Sequence, residues 1–313
     1  MKNKKNKFKL FLAGGNNVLG NSFLVNLRKS KKYNIISDIQ TGVNLMDQKS
    51  VLKFFENFRP DFVCITNVFS GGINENLYFP ATLIYKNLQM QINIIHSSYK
   101  TGVENLLFLG SSCMYPKVCP QPMKEDCLFS GKFEKSSEPY SISKLTGMEM
   151  CFAYNKQYGK KYFTVIPATT YGPKDDFSKS GHVISSLIDR FHKAKIKNHQ
   201  EVVVWGTGNP RREFLYADDL VEACFFLLQK RRHDEVINVG FGSDISIKEL
   251  SELIKKTVGF KGKIVFNTSK PDGTYQKLLE SSIINKLGWK PKTSLEKGLK
   301  VTYEWYKNNL NNI

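Results

Sequence analysis

A chain of 313 residues, 41% hydrophobic and 24% charged, has the balance of a globular protein that buries a large core, which excludes intrinsic disorder. Its 46 Lys and Arg against 28 Asp and Glu leave a formal charge of +18, a field that favours anionic partners. Only the N-terminal MKNKKNKFK is densely basic and no apolar run approaches the roughly 18 residues of a membrane span, so neither nucleic acid nor a membrane is an expected partner.

The six cysteines (Cys64, Cys113, Cys119, Cys127, Cys151, Cys224) form neither a C-x-x-C pair nor a Cys/His metal spacing, which suits a reducing cytoplasm and predicts no metal site. After the basic tip, FKLFLA predicts a short buried strand, GGNNVLG a turn and NSFLVNLRKS an amphipathic helix. Further apolar runs at Ile35 and Ile36, DFVCIT (61–66), NLLFLG (105–110), YFTVIP (162–167) and EVVVW (201–205) alternate with helical patterns. Continuous rather than alternating apolar strands predict a parallel sheet covered on both faces. The fold class is therefore α/β, a Rossmann-type doubly wound parallel sheet, with a smaller C-terminal α/β lobe.

In the second half, SIKELSELIKKTVG (246–259) predicts a helix that opens on a Ser246 cap with Glu249 three residues on and closes at Gly259. The sequence has no internal repeat and no low-complexity linker, so the smaller lobe is expected to grow out of the first domain's loops. The expected division is 1–170 with 216–240 for the dinucleotide-binding domain, and 171–215 with 241–313 for the substrate lobe.

Two constellations carry chemistry. Gly14, Gly15 and Gly20, between a strand and a helix, allow a backbone to approach a pyrophosphate at a helix N-terminus, although an ordinary strand–helix turn has the same look. Tyr140 and Lys144 stand four apart in EPYSISK, with Pro139 at the helix start and Gly159 at its end, so both project from one face. An ammonium beside a phenol favours the phenolate and makes the Tyr a usable acid/base for a carbonyl/alcohol pair. About thirty residues earlier, on strand-end logic, GSSCMYP offers the Ser111 hydroxyl to the same oxygen.

The order GSSCMYP, QPMKED, EPYSISKLTGMEMCFAYNKQYG, YGPKDDF, GHVI, RFHKA, VVVWGTGNPRREFLYADD, INVG and SKPDGT resembles the GDP-L-fucose synthase family of extended short-chain dehydrogenases/reductases over nearly the whole chain. The resemblance implies a homodimeric enzyme that uses NADP(H), epimerises a GDP-4-keto-6-deoxy-mannose at C3 and C5, and then reduces C4. It assigns Ser111, Tyr140 and Lys144 to the reductase triad and Cys113 and His182 to an epimerase acid/base pair. It places the cofactor on Gly14, Gly15, Asn16, Asn17, Val18, Leu19, Gly20, Asp38, Lys144, Pro167, Ala168, Thr169, Thr170 and His182. It places Arg190, Trp205, Arg212, Asp272 and Lys277 on the GDP-sugar, where Arg can fork onto diphosphate oxygens.

The chain departs from the family pattern at several of these positions. Asn16 replaces an Arg, Asn17 a central Gly, Asp38 and Gln40 replace Arg residues, and Thr169 an Asn. Asn tolerates the left-handed backbone region, which predicts that Asn17 stands in for the glycine. Asp38 is the type of acid that holds a ribose 2′-OH and repels a 2′-phosphate, so NAD(H) stays open, with Arg28, Lys29, Lys31 and Lys32 as compensating charges. TNVFSGG (66–72) also differs, which leaves a six- or seven-carbon sugar open. A reductase whose substrate is epimerised by a separate enzyme remains an alternative, as does a non-catalytic dinucleotide sensor. A 4,6-dehydratase needs a carboxylate where this chain has Ser112 and Cys113, and a 4-epimerase leaves Cys113 with His182 unexplained.

Overall fold

The computed structural model describes residues 7–28, 33–66, 73–178, 181–230, 236–270 and 272–310. In chain order, the first half forms β1 (Phe8–Ala13), α1 (Val18–Arg28), β2 (Tyr33–Ser37), α2 (Asp38–Thr41), α3 (Gln48–Phe58), β3 (Phe62–Ile65), α4 (Ile73–Tyr78), α5 (Pro80–Lys100), β4 (Asn105–Leu109) and α6 (Glu138–Tyr158). There follow β5 (Lys161–Pro167), β6 (Thr169–Tyr171), α7 (Val183–Ile196), β7 (Glu201–Trp205), β8 (Arg211–Tyr216), α8 (Ala217–Lys230) and β9 (Val236–Val239). The last stretch is β10 (Asp244–Ser246), α9 (Ile247–Val258), β11 (Lys263–Asn267), β12 (Gln276–Lys277), α10 (Ser282–Lys286) and α11 (Leu295–Asn308).

The main sheet is six-stranded and parallel, in the order β2-β1-β3-β4-β5-β9. Its continuous apolar strands are buried on both faces; Leu10, Phe11, Leu12, Val63, Cys64, Ile65, Leu107 and Phe108 are fully inaccessible. Each such large side chain contributes about 1.5–3 kcal/mol relative to an exposed one. From β1 the chain runs outward to β2 and then crosses back to β3, so the connections diverge at the carboxyl ends of β1 and β3. Open α/β sheets bind ligands at such a switch point.

A second core, around Tyr171, Leu187, Phe191, Leu250, Ile254, Leu299 and Tyr306, is built by α7, α9 and α11 with the smaller strands. There β8 pairs with β6, β10 and β12, and β7 pairs with β11. EVVVW lies outside the main sheet and is not a fully buried strand: only Val202 and Val204 turn inward, while Val203 sits on the open face. The main sheet's sixth strand is instead VINV, a run too short to stand out by itself. Glu213 on β8 ties later segments of the chain to this strand, its carboxylate accepting from the amides of Gly242 (2.7 Å) and Leu279 (2.9 Å).

Local signals set the helix ends. Ser246 and Glu249 form the reciprocal capping box, and Gly259 closes α9 with φ 75°. Pro139 sits in the first turn of α6 and Gly159 ends it with φ 64°. Among the described residues no helix is long and apolar enough to cross a membrane. All six cysteines are free thiols.

Candidate active site

The turn after β1 is shaped for close approach. Gly14 has φ 94°, a region L side chains avoid. A Cβ on Gly20 would stand 2.2 Å from the Gly14 carbonyl oxygen, so only glycine lets α1 pack this tightly on the turn. Asn17 is not left-handed, which corrects the expectation that it replaces a glycine conformationally. It caps α1 instead: its Oδ1 accepts from the Gly20 amide at 2.8 Å, and its carbonyl takes the Asn21 amide at 2.9 Å. The cap starts the helix at Val18, earlier than the sequence pattern suggests. The Val18 and Leu19 amides precede the first intrahelical bond and so lack helical acceptors, beside exposed Asn16.

Asp38 closes the other side of this cradle. Its Oδ1 accepts from the Gly14 and Gly15 amides at 3.1 and 3.0 Å, and the Ser37/Gln40 capping box holds its short helix. Buried Thr66 ties the end of β3 to the turn, its hydroxyl donating to the carbonyls of Ala13 and Gly14. At the end of β5, Pro167 and Ala168 are buried, Ala168 N–H donates to the Val239 carbonyl at 3.0 Å, and Thr169 and Thr170 are half-buried. The cradle therefore suits a dinucleotide: Gly20, whose Cβ would strike backbone, lets α1 pack onto the turn, which puts the helix N-terminus at the carboxyl end of β1. Lys29, Lys31, Lys32, the Arg28 side chain and residues 67–72 lie outside the described residues.

Next along the sheet edge, β4 ends and the chain enters a tight turn over 112–114 capped by Ser111, whose Oγ accepts from the Cys113 amide at 3.3 Å. Helix α6 packs against this turn. Gly147 makes the packing feasible, because a Cβ there would meet the Phe108 ring at 2.5 Å. As a result Lys144 is driven into the core, its Nζ donating to the Leu109 carbonyl at 2.8 Å. That nitrogen lies 4.9 Å from the Phe108 ring centre and 5.9 Å from that of Tyr140. Burial pushes Lys144 down to about 7, so the amine exchanges its proton near neutrality.

Cys113 is half-buried in the same turn. Burial alone would raise its thiol, but the Lys277 ammonium and hydrogen bonds with Ser111, Ser137 and Lys277 outweigh it and bring the thiol below the ordinary cysteine range. His182 precedes α7 and keeps about half of its side-chain surface exposed (52%). The Asp175 carboxylate raises its pKa over the opposing effect of burial, and the Cys113 charge adds to the rise.

Of the residues expected on the sugar, Arg190 anchors its Nη1 on the Val203 carbonyl at 2.8 Å, and Arg212 its Nη1 on the Arg211 carbonyl at 2.7 Å. Burial lowers both guanidinium pKa values. Trp205 is exposed, with Lys270 Nζ 5.5 Å above its ring. Asp272 uses both oxygens on Thr207, accepting from its amide (2.7 Å) and hydroxyl (2.8 Å), so it holds the turn beside Trp205. Lys277 Nζ lies 3.7 Å from Cys113 Sγ. Sequence reasoning missed Asp175 and Ser137, the partners of His182 and Cys113: Asp175 lies between β6 and α7 and Ser137 in the short 3-10 turn leading into α6, where no periodicity marks them.

A glycine turn after β1 at the sheet's switch point, together with a Tyr–Lys pair four residues apart on α6, defines a dinucleotide-binding protein of the short-chain dehydrogenase/reductase type. The chain is 44% identical to GDP-L-fucose synthase 1 of Arabidopsis thaliana over 305 residues, 97% of this chain and 94% of that one. Two solved structures from Campylobacter jejuni, each 35% identical, superimpose closely. A GDP-6-OMe-4-keto-L-xylo-heptose reductase does so at TM-score 0.90, covering 97% and 98% of the two chains. A GDP-mannoheptose C4 reductase with NADP bound does so at TM-score 0.86, covering 96% and 98%. The chain belongs to the NAD dependent epimerase/dehydratase family, whose model matches residues 11–240, and within it to the GDP-L-fucose synthases.

Proposed function

We propose that the protein is an NADP(H)-dependent C4 ketoreductase of a GDP-4-keto sugar that also epimerises C3 and C5. The observation that carries this reading is one turn that bears both chemistries: Ser111 and Cys113 sit two residues apart, α6 with Tyr140 and Lys144 packs against the turn, and the Lys277 ammonium lies at the Cys113 sulfur. The fucose synthase relative and the NADP-bound reductase support the sugar class and the cofactor.

A bound nicotinamide supplies the hydride for C4. Tyr140 gives its proton to the C4 oxygen, Ser111 donates a hydrogen bond to the same oxygen, and Lys144 favours the phenolate left behind. Before reduction the C4 ketone acidifies the protons on C3 and C5. Cys113 removes one as a thiolate, and His182 returns one to the opposite face as an imidazolium. Arg190 and Arg212 suit the diphosphate and Trp205 walls the sugar, with Asp272 and Lys277 at its border.

The two hydrophobic cores support a dinucleotide lobe of 1–170 with 216–240 and a sugar lobe of 171–215 with 241–313, although Leu279, Ile284 and Trp289 return to the first core. A homodimer belongs to the same reading. Tyr85 and Ile92, seven residues apart on α5, are exposed apolar side chains, with exposed Tyr78 at the end of α4 and Ile142 on the neighbouring α6. Six free thiols suit a reducing cytoplasm.

The test is the near-ultraviolet absorbance of NADPH in the presence of GDP-4-keto-6-deoxy-mannose or a GDP-4-keto-heptose. Sugar-dependent loss of absorbance is expected with at least one of them. Tight NADPH binding with no turnover of either would favour the non-catalytic sensor.

A further inference from the structure

Lys277 reaches Cys113 from a different lobe, and the backbone holds it there. Strand β12 pairs with β8 in parallel register, Lys277 opposite Arg212. On either side, the Tyr275 carbonyl accepts from the Arg211 amide at 2.7 Å, and the Leu278 amide donates to Gln121 Oε1 at 2.9 Å. The ammonium is thereby brought to 3.7 Å from the Cys113 sulfur. Arg212, opposite Lys277 on β8, and His182 also feel the Cys113 charge. Of the anions nearby, Glu134 pairs with Lys117 and also feels the Lys277 ammonium, Asp272 accepts from Thr207, and Asp175 pairs with His182.

We infer that Lys277 is the positioning residue that holds Cys113 as a thiolate ready to take a proton from the sugar. The inference rests on the reading of Cys113 as the epimerase base. Such a base must be deprotonated before the sugar arrives, and a cation at contact distance favours that state. The step is proton transfer alone. Sγ gains the carbon's proton, the electron pair left behind enters the enolate of the C4 ketone, and Lys277 keeps its own proton throughout.

The experiment measures the thiol directly. The full chain is treated with iodoacetamide across a pH series, and alkylation of the Cys113 peptide is followed by mass spectrometry in the wild type, Lys277→Gln and Lys277→Arg. In the wild type the midpoint should lie below that of an ordinary thiol. In Lys277→Gln it should rise by about one unit, which cuts alkylation at pH 7 about tenfold, and Lys277→Arg should restore most of the loss. Identical midpoints in the wild type and Lys277→Gln would overturn the inference, as would an Arg variant that behaves like Gln. Solvent deuterium at C3 and C5 of the wild-type product reports the epimerase reading separately. A shifted midpoint with a deuterium-free product would sink that reading and leave the Lys277–Cys113 relationship standing.

Discussion

Asp175 Oδ1 lies 3.6 Å from His182 Nδ1, and the second oxygen of that carboxylate is buried without a hydrogen-bond partner. A buried carboxylate in this state is tolerated when a cation faces it, and His182 is the cation at hand. With Nδ1 turned to Asp175, Nε2 is the nitrogen left for the cleft.

Asp175→Asn should therefore lower the His182 midpoint toward or below that of a free imidazole, read by NMR titration of the five histidines. The folded-state value is raised above the unfolded one, so the Asp175–His182 contribution to stability is fully present below the unfolded pKa and disappears as pH rises through the folded value. The stability gap between wild type and Asp175→Asn should close in the same direction. A His182 midpoint unchanged by the substitution contradicts the pairing.

Gly20→Ala tests the cradle without touching chemistry. Its Cβ would meet backbone atoms, the Gly14 oxygen at 2.2 Å and Gly15 Cα at 2.7 Å, so the turn or the helix must move. Overpacking of this kind costs about 1–3 kcal/mol. Thermal unfolding should shift downward and NADPH affinity, followed by nucleotide fluorescence, should fall with it. Wild-type affinity in this variant would mean that the cofactor does not rest on the turn.

Asp38→Asn addresses cofactor choice. The amide keeps an oxygen for the Gly14 and Gly15 amides but removes the negative charge beside the ribose. Relief of one like-charge contact at the surface is worth about 1 kcal/mol, or about fivefold. The ratio of NADPH to NADH efficiency should rise by that factor, and an unchanged ratio would show that Asp38 does not sense the 2′-phosphate.

Burial pushes the Glu213 carboxyl up to about 7. A carboxyl whose folded-state pKa is raised contributes stability that is complete below its unfolded value and is lost as pH rises through the folded one. Melting temperatures should accordingly fall between pH 5 and pH 8 more steeply for the wild type than for Glu213→Gln. Parallel slopes would assign the Glu213 contacts no pH dependence.

Much of this was legible in the sequence, for local reasons. β1 stood out as an unbroken apolar run before glycines, and α6 and α9 announced their ends through Pro139, Gly159, Ser246 and Gly259. Legibility stopped where tertiary context decides. The open face of β7 carries Val203 because β11 packs beside it, and Asn17 trades a glycine's freedom for a cap that only the path of α1 reveals. Asp175 and His182 are seven apart in a loop, so no pattern joins them, and the grip of Lys277 on Cys113 crosses from β12 to the turn after β4.

The central claim is that reduction and epimerisation share one site but use separate residues. It is tested most directly by running the reaction with a GDP-4-keto-6-deoxy sugar and NADPH in heavy water and mapping deuterium in the product. The wild type should carry solvent deuterium at C3 or C5 and hydride-derived protium at C4. Cys113→Ser should lose the exchange while still reducing a substrate already in the right configuration, and Tyr140→Phe should keep the exchange while reduction falls about 10²–10⁴-fold. Normal reduction by the wild type with no deuterium at either carbon would contradict the account and leave a C4 reductase served by a separate epimerase.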